Sequence, residues 1–152
     1  MTFKNFFSDK RILITGITGF KGSWLASWLD LLDGRVHGIG LPPNTKPSLF
    51  KVLNINSFVE YQQLNIRNQK LLSEYISKIQ PEIIFHLAAQ PLVLDSYKFP
   101  LKTIQTNILG TANLLYSINK YYETFKKPCT VIVITSDKCY ENIESHISYR
   151  EE

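Results

Sequence analysis

The stretch from Lys10 to Leu32, KRILITGITGFKGSWLASWLDLL, decides the fold of this chain. It opens with the run Arg11–Thr15, which predicts a buried strand because apolar residues follow one another there without alternation. Three glycines follow at the spacing G-x-x-G-x-x-G. Beyond them, apolar residues recur at the period of a helix, which predicts an amphipathic helix packed on the strand. The predicted apolar stripe comprises Trp24, Leu25, Trp28, Leu29 and Leu32.

A strand, a glycine turn and a helix in this order are typical of sites that bind the diphosphate of a dinucleotide. The turn must reverse sharply and let the backbone approach the phosphates, and glycine meets both demands because it lacks Cβ. The amino terminus of the helix then offers unpaired N–H groups and the positive end of its dipole to the anion. We interpret Gly16, Gly19 and Gly22 as a dinucleotide-binding turn, the alternative being that they serve only to turn the chain.

Strands and helices alternate along the rest of the chain. Further strands are predicted at Arg35–Gly40, Ser57–Leu64, Pro81–Ala89 and Cys129–Thr135. Two further amphipathic helices have apolar stripes formed by Leu71, Leu72, Tyr75, Ile76 and Ile79 in the first, and by Ile104, Ile108, Ala112, Leu115, Ile118 and Tyr122 in the second. Gly110 in the second helix indicates close packing against a neighbouring element, since glycine otherwise weakens a helix. The alternation predicts an α/β fold, a Rossmann-like doubly wound parallel sheet of order 3-2-1-4-5 that binds its ligand outside the carboxyl ends of strands one and four.

Composition excludes several classes of protein. The 152 residues are 44% hydrophobic and 20% charged with a net charge of +4, which is ordinary for one globular domain. The lysines are scattered and do not alternate with aromatic residues, so we expect no nucleic-acid partner. The sequence has no signal-peptide pattern and no apolar run long enough to span a membrane, which favours a cytoplasmic protein. Cys129 and Cys139 lack metal-ligand spacing and are expected to be free thiols, and no metal site is predicted.

Candidate reactive residues lie within the fourth strand and just beyond the fifth. Ser136, Asp137 and Lys138 offer a hydroxyl, a carboxylate and an amine at the edge where a nicotinamide would lie, although this triplet is also ordinary turn chemistry. His86 is interpreted as a hydrogen-bonded core histidine in preference to a catalytic base.

The sequence does not distinguish NAD from NADP. Leu41–Pro43 stands where dinucleotide folds usually place the acidic residue that binds the ribose.

Several blocks of the sequence resemble the extended short-chain dehydrogenase/reductases and, within that family, the CDP-glucose 4,6-dehydratases. They cover nearly the whole chain: Thr15–Leu25, Pro42–Phe50, His86–Val93, Thr106–Thr111 and Thr135–Asn142. The last block is the most specific, because related sugar-nucleotide dehydratases carry Thr-Asp-Glu where this chain has Ser136-Asp137-Lys138.

The resemblance implies a tightly held NAD that removes hydride from C4 of the glucose ring of CDP-glucose. Water is then lost across C5 and C6, and the hydride returns to C6, which gives a 4-keto-6-deoxy sugar nucleotide. Ser136 would hydrogen-bond the C4 hydroxyl, Asp137 would protonate the departing C6 oxygen, and Lys138 would act near C5. A base role for Lys138 requires a lowered pKa, since free lysine titrates near a pH of about 10.4.

The resemblance also implies the cofactor-binding positions, a possible homodimer and a role in lipopolysaccharide O-antigen biosynthesis. The positions are Gly16, Thr18, Gly19, Phe20, Lys21, Gly22, Asn65, Ile66, Leu87, Ala88, Ala89, Gln90, Asn107 and Thr135.

The sequence departs from the family pattern at three places. Asn65 stands where an aspartate is usual near the adenine, and Leu94-Asp95 replaces a basic residue that commonly follows the block ending at Val93. The family's Tyr-x-x-x-Lys pair is expected after the fifth strand, beyond Glu152. Two other pairs have the spacing, Tyr116 with Lys120 and Tyr122 with Lys126, but both lie on the preceding helix and are not expected to be catalytic.

These departures predict that residues 1–152 form an incomplete NAD-binding domain that stops before the sixth strand, without the substrate domain, and is inactive alone. Two alternatives remain. One is a non-catalytic nucleotide-binding or interaction module, which an uncovered sheet edge would favour. The other is a sugar-nucleotide epimerase or another dehydratase on the same scaffold, and the triplet at Ser136 argues against an epimerase.

Overall fold

A computed structural model describes residues 3–136 together with 140, 141, 144, 146 and 148. Strands and helices alternate along these residues as the sequence predicts. In chain order they are α1 (Phe3–Phe7), β1 (Arg11–Thr15), α2 (Phe20–Leu31), β2 (Arg35–Gly40), α3 (Leu49–Val52), a 3-10 turn (Ile55–Ser57), β3 (Glu60–Gln63), α4 (Gln69–Ile79), β4 (Ile83–His86), α5 (Val93–Lys98), α6 (Pro100–Ile104), a π-helical turn (Gln105–Leu109), α7 (Gly110–Phe125) and β5 (Thr130–Val133).

The strands form one parallel sheet in the order β3-β2-β1-β4-β5, which confirms the predicted order and fold class. β1 lies at the centre, where Thr15 is beside Ile39 of β2 on one side and His86 of β4 on the other. Because the strand order reverses at β1, the carboxyl ends of β1 and β4 border a crevice in which open α/β sheets bind ligands.

The core has two layers, one on each face of the sheet. Successive residues of β1 point to opposite faces, so Ile12 and Ile14 join the layer beneath α2 while Leu13 joins the layer beneath α4 and α7. All three side chains are fully buried. Burial on both faces accounts for the uninterrupted apolar run from which the strand was predicted. Within the described part of the chain, no helix has both the length and the apolar character needed to cross a bilayer.

The buried face of α2 differs from the predicted stripe. Trp24 and Trp28 are 54% and 50% exposed, and the residues that face the sheet are Gly22, Ser23, Ala26 and Leu29. The reason is the close contact between Gly22 and the backbone at Gly16, which turns the small-residue side of the helix toward the sheet. A tryptophan stripe could not approach the strand as closely.

The buried face of α7 is displaced from its predicted stripe by one residue. Its buried residues are Gly110, Leu114, Ser117 and Tyr121, whereas Leu115 and Tyr122 of the predicted stripe are about half exposed. The π-helical turn at Gln105–Leu109 inserts an extra residue and so rotates the helix that follows. Gly110 lies against Ile66, since a Cβ placed on Gly110 would be 2.5 Å from Ile66 Cδ1. This contact confirms the predicted close packing.

The later strands are shorter than predicted. The segment Ser57–Leu64 begins as the 3-10 turn and becomes a strand only at Glu60, because left-handed Asn54 and the bond from Ser57 Oγ to Asn54 O favour a tight turn. β4 occupies Ile83–His86 of the predicted Pro81–Ala89, and β5 occupies Thr130–Val133 of the predicted Cys129–Thr135.

Candidate cofactor-binding site

The glycine turn is packed against the ends of two strands. Gly16 has a φ of +73°, and a Cβ placed on it would lie 2.7 Å from the backbone nitrogen of Ala88. Its own N–H donates to Ile39 O at the end of β2 (2.8 Å), and Gly19 N–H donates back to Gly16 O (3.0 Å). Only glycine fits at position 16, since an L side chain would be strained at this φ and would collide with the backbone of Leu87 and Ala88, just after β4.

The amino terminus of α2 is held by backbone contacts and leaves its own donors available. Gly19 is the N-cap and supplies no side-chain hydrogen bond. Ser23 ties the first turn of the helix to the glycine turn, because its N–H donates to Gly19 O and its hydroxyl donates to Ile17 O at 2.9 Å. The N–H groups from Phe20 to Gly22 have no acceptor within the helix, because no helical turn precedes them to supply carbonyl oxygens. This end of the twelve-residue helix can bind an anion.

Two further features bring the chain's backbone close to this anion site. Gly22 is buried so tightly that an added Cβ would overlap Gly16 O. Thr18 donates its hydroxyl to Leu41 O at 2.8 Å, which joins the turn to the segment following β2. Phe20 and Lys21 are exposed, so the lysine side chain is available to an anion in solution.

The end of β4 is fastened to Thr15 by main-chain and side-chain contacts. Leu87 N–H donates to Thr15 O (3.1 Å), and Ala88 N–H donates to Thr15 Oγ1 (3.1 Å). Small residues at Ala88 and Ala89 keep this part of the crevice open. The structure therefore brings Gly16–Gly22 and Leu87–Ala89, predicted separately from sequence, to the same crevice.

Asn107 holds the next residue, Gln90, through both halves of its amide. Its Oδ1 accepts from Gln90 N–H (2.8 Å), and its Nδ2 donates to Gln90 O (3.1 Å). The Gln90 side chain donates to Thr103 Oγ1 and accepts from Leu92 N–H. Asn107 lies within the π-helical turn, and such turns are frequent at functional sites.

Asn65 and Ile66 lie beyond β3 at the same edge of the sheet. Asn65 Oδ1 accepts from Arg67 N–H (3.0 Å) and Arg67 Nε (3.3 Å), an arrangement that orders the loop. Beside them, a shallow cavity of about 260 Å³ opens near the ends of β2 and β3, and its lining includes Pro42, Phe50 and Tyr61. Sequence reasoning did not predict this cavity, because its walls come together only in the folded chain.

The predicted reactive triplet is described only in part. Thr135 and Ser136 are exposed and follow β5, whose outgoing chain is fixed by the bond from Ile134 N–H to His86 O (3.0 Å). They therefore lie at the carboxyl edge of the sheet, on the β4 side of the crevice. Asp137 and Lys138 lie outside the described residues, as does Cys139. Among the described residues, no three His, Cys, Asp or Glu side chains are grouped as a metal ion would require.

His86 is a buried core histidine, as interpreted from sequence. It is 3% exposed, and burial lowers its pKa below the ordinary value. Its Nδ1 lies 2.6 Å from Thr15 Oγ1 and its Nε2 lies 3.0 Å from Thr111 Oγ1. The contributions of Thr15 and Thr111 could not be predicted, because their partners are 71 and 25 residues away in sequence.

Comparison with known proteins places this geometry in a family. The family model for GDP-mannose 4,6 dehydratase matches residues 13–152. The chain belongs to that family. Among its relatives, the CDP-glucose 4,6-dehydratase of Salmonella typhimurium is 45% identical over 97% of this chain and 40% of its own length. That similarity confirms the resemblance found in the sequence blocks. The chain spans at most about 40% of the length of the curated relatives it matches.

Solved structures agree with the fold. The Thermus thermophilus UDP-glucose 4-epimerase, in complex with NAD, is 26% identical and superimposes with a TM-score of 0.65 over 73% of this chain and 34% of its own. The Stenotrophomonas maltophila UDP-glucose-4-epimerase, also with bound NAD, reaches a TM-score of 0.75 over 90% of this chain and 40% of its own, and at 22% identity it supports the fold alone. This member of the 4,6-dehydratase family thus shares its sheet with NAD-containing sugar-nucleotide enzymes.

Proposed function

We propose that this chain is the NAD-binding portion of a sugar-nucleotide 4,6-dehydratase whose substrate is CDP-glucose. The observation that carries the proposal is the backbone cradle formed where Gly16–Gly22 packs against Leu87–Ala88. Under this proposal residues 1–152 constitute an NAD-binding domain. The 45% identity to the Salmonella enzyme supports the choice of substrate.

The cradle fits a dinucleotide diphosphate on three counts. Gly16 and Gly22 let the turn pack against Ala88 and against its own backbone, where an added Cβ would collide, and exposed Gly19 adds no side chain beside the turn. The first turn of α2 leaves N–H donors for phosphate oxygens, and Lys21 adds a positive charge. Asn65 and Ile66 would then lie at the adenine, while Leu87–Gln90 and Thr135 would line the rest of the cofactor. When bound, NAD would accept a hydride from the sugar and return it.

The chain's own residues would handle the protons and the hydroxyls. Ser136 follows β5 at the crevice and would hydrogen-bond the hydroxyl on C4 of the sugar. Asp137 would donate a proton to the oxygen that leaves C6, and Lys138 would act at C5. Asn107 would act indirectly, by fixing the backbone at Gln90 beside the crevice. A hydroxyl, a carboxylate and an amine in this order suit elimination of water better than inversion at one carbon.

The proposal extends to the biological role and the compartment. A CDP-linked 4-keto-6-deoxy sugar suits the synthesis of lipopolysaccharide O-antigen, and the enzyme would work in the cytoplasm. A homodimer is a further proposal that rests on the family resemblance alone.

Binding of NAD is tested directly by titration calorimetry of the 152-residue chain with NAD and with CDP-glucose. NAD should bind and raise the melting temperature, whereas CDP-glucose should do neither. Gly19→Ala should weaken NAD binding by about tenfold or more, a loss of about 1.4 kcal/mol, because the added methyl group occupies space beside the turn. Lys21→Ala should also weaken binding, and Lys120→Ala, an exposed lysine on α7, is its control. A chain that binds no NAD at millimolar concentration would instead favour the interaction module.

Reaction type is tested in a chimera that joins this chain to the remainder of the Salmonella dehydratase. The chimera should convert CDP-glucose to a 4-keto-6-deoxy product, and Asp137→Asn should abolish loss of water. Asp30→Asn is the control, because Asp30 lies at the carboxyl end of α2, away from the glycine turn. A product that keeps its C6 oxygen and differs from the substrate only in configuration would identify an epimerase, the alternative suggested by the solved neighbours.

A further inference from the structure

We propose that His86 is a positioning residue of the cofactor site, held as the neutral Nε2–H tautomer by a one-way chain of hydrogen bonds. The chain runs Ala88 N–H to Thr15 Oγ1, Thr15 O–H to His86 Nδ1, His86 Nε2–H to Thr111 Oγ1, and Thr111 O–H to Asn107 O. The proposal rests on the proposed binding of NAD, because the two segments that this series of hydrogen bonds connects are those that would line the cofactor.

The direction of every bond follows from its two ends. Ala88 N–H can only donate, and it does so to Thr15 Oγ1 at 3.1 Å. At the other end Asn107 O can only accept, and it accepts a hydrogen bond from the Thr111 hydroxyl at 2.8 Å. Because the Thr111 hydroxyl already donates its only proton there, Thr111 Oγ1 must accept from His86 Nε2 at 3.0 Å. A neutral imidazole that donates from Nε2 accepts at Nδ1, so the Thr15 hydroxyl donates across the 2.6 Å contact.

Each end of this hydrogen-bond series fixes backbone that faces the crevice. Thr15 directly precedes the glycine turn and holds Leu87 and Ala88 through its carbonyl and its hydroxyl. Asn107, in the π-helical turn, holds Gln90 through both halves of its amide. His86 is the group that joins these two arrangements, so its tautomer sets the spacing between the glycine turn and the segment 88–90.

A protonated ring would break the sequence of donors. Nδ1–H would then face Thr15 Oγ1, which already accepts from Ala88 N–H, and the hydroxyl proton would lose its acceptor. The ring is almost fully buried, and that burial lowers its pKa and favours the neutral form. Burial of the ring and the direction of the bonds therefore favour the same state.

Thr111 offers the mildest way to interrupt the chain, because it is only partly buried and lies outside the sheet. Thr111→Val keeps the shape but removes the hydroxyl, and Thr111→Ser restores the hydroxyl as a rescue. Thr124→Val is the matched control, since Thr124 Oγ1 makes the same bond to the carbonyl four residues earlier on α7 but lies outside the network. NAD affinity by calorimetry and melting temperature are measured for all three variants.

We expect Thr111→Val to weaken NAD binding by about tenfold, Thr111→Ser to restore most of the affinity, and Thr124→Val to leave it unchanged. Long-range ¹H–¹⁵N spectra of the ligand-free chain, assigned with His37→Gln and His146→Gln, should show His86 protonated at Nε2 alone. A ring protonated at Nδ1 overturns the inference. The inference is also overturned if the Thr111→Val variant has a lower melting temperature but binds NAD with the affinity of the unsubstituted protein, because that result shows a purely structural role. An unchanged chain that binds no NAD overturns the proposed function itself, while the tautomer is still tested by the spectra.

Discussion

Gly16 carries two constraints that no other residue type satisfies together. Its φ of +73° lies in the left-handed region, and its missing Cβ admits the backbone of Ala88 to within 2.7 Å of the position a Cβ would occupy. Gly19, three residues on, has a φ of −76° and a nearest neighbour 3.3 Å from the same position. The two glycines therefore differ in what they do for folding, although the sequence spacing presents them as equals.

Gly16→Ala should lower the free energy of unfolding by at least ~2 kcal/mol, the sum of left-handed strain and overpacking against β4. Gly19→Ala should change it by less than about 1 kcal/mol, since a cap position tolerates alanine at modest cost. Urea denaturation of both variants measures the difference. Equal losses would contradict the account of Gly16.

The buried His86 and the partly buried His37 predict a loss of stability in mild acid. Burial lowers the pKa of His86, and it is also the largest influence that lowers the pKa of His37. Around His37, Arg11 and Lys78 act in the same direction while Glu60, 3.2 Å from its Nδ1, opposes them. The unfolded chain takes up these protons near pH 6.5 and the folded protein only at lower pH, so the free energy of unfolding should fall as pH drops through about 6.5.

Urea unfolding at pH 7.5 and at pH 5.5 checks the sign, and His37→Gln should reduce the difference between the two pH values. A free energy of unfolding that rises between these pH values on acidification would show that the histidines are charged in the folded protein.

Residue-level features were predictable where the constraint is local. The glycine spacing predicts the turn because the reversal and the close approach lie within seven residues of sequence. The hydrogen bonds of His86 were beyond reach, because Thr15 and Thr111 become its neighbours only after the sheet and α7 assemble. The sequence predicts a bonded histidine but not its partners.

At the scale of elements, Glu82 joins the amino ends of β1 and β4. Its carboxylate accepts from Lys10 Nζ at 2.8 Å and from Arg11 N–H at 3.2 Å, and its own N–H donates to Arg11 O at 2.8 Å. The bond from Lys10, followed by the bond and charges at Arg11, outweighs burial and lowers the pKa of this carboxyl. The pair of strands is thereby fixed at the end opposite to the cofactor site.

Glu82→Gln should lower the free energy of unfolding by up to about 1 kcal/mol at neutral pH, a small value because the side chains remain partly exposed to water. A lowered folded-state pKa stabilises above the ordinary value of 4.5 and loses that effect as pH falls through the folded value. The difference between Glu82→Gln and the unchanged chain should therefore shrink below pH ~4. Glu123→Gln, a glutamate on exposed α7 surface, serves as the control. A difference that persists in acid would contradict the ionic origin of the effect.

The five strands and the helices α2, α4 and α7 were predicted from sequence, whereas α1 and α5 were not, and the orientations of α2 and α7 were predicted wrongly. Trp24 and Trp28 have helical spacing with Leu25 and Leu29, and periodicity cannot show that Gly22 must face the strand instead. In α7 the π-helical turn at Gln105–Leu109 shifts the buried face by one residue. The first error arises from packing between elements and the second from a residue inserted in the backbone, and a regular helical pattern contains neither.

For the molecule as a whole, the sheet order brings four sequence-predicted segments to one edge. The glycine turn, Asn65–Ile66, Leu87–Gln90 and Thr135–Ser136 all follow the carboxyl ends of strands in the order β3-β2-β1-β4-β5. Parallel topology made this convergence predictable, because every crossover returns the chain to the same edge.

The central claim is that a dinucleotide diphosphate binds over the glycine turn and beside the end of β4. Mapping backbone amide chemical shifts of the ¹⁵N-labelled chain during NAD titration tests it most directly. The largest changes should fall on residues 16–22 and 87–90, with the N–H groups of Phe20, Lys21 and Gly22 foremost. Saturable changes confined to the cavity near Pro42 and Tyr61, with the turn unperturbed, would contradict the account.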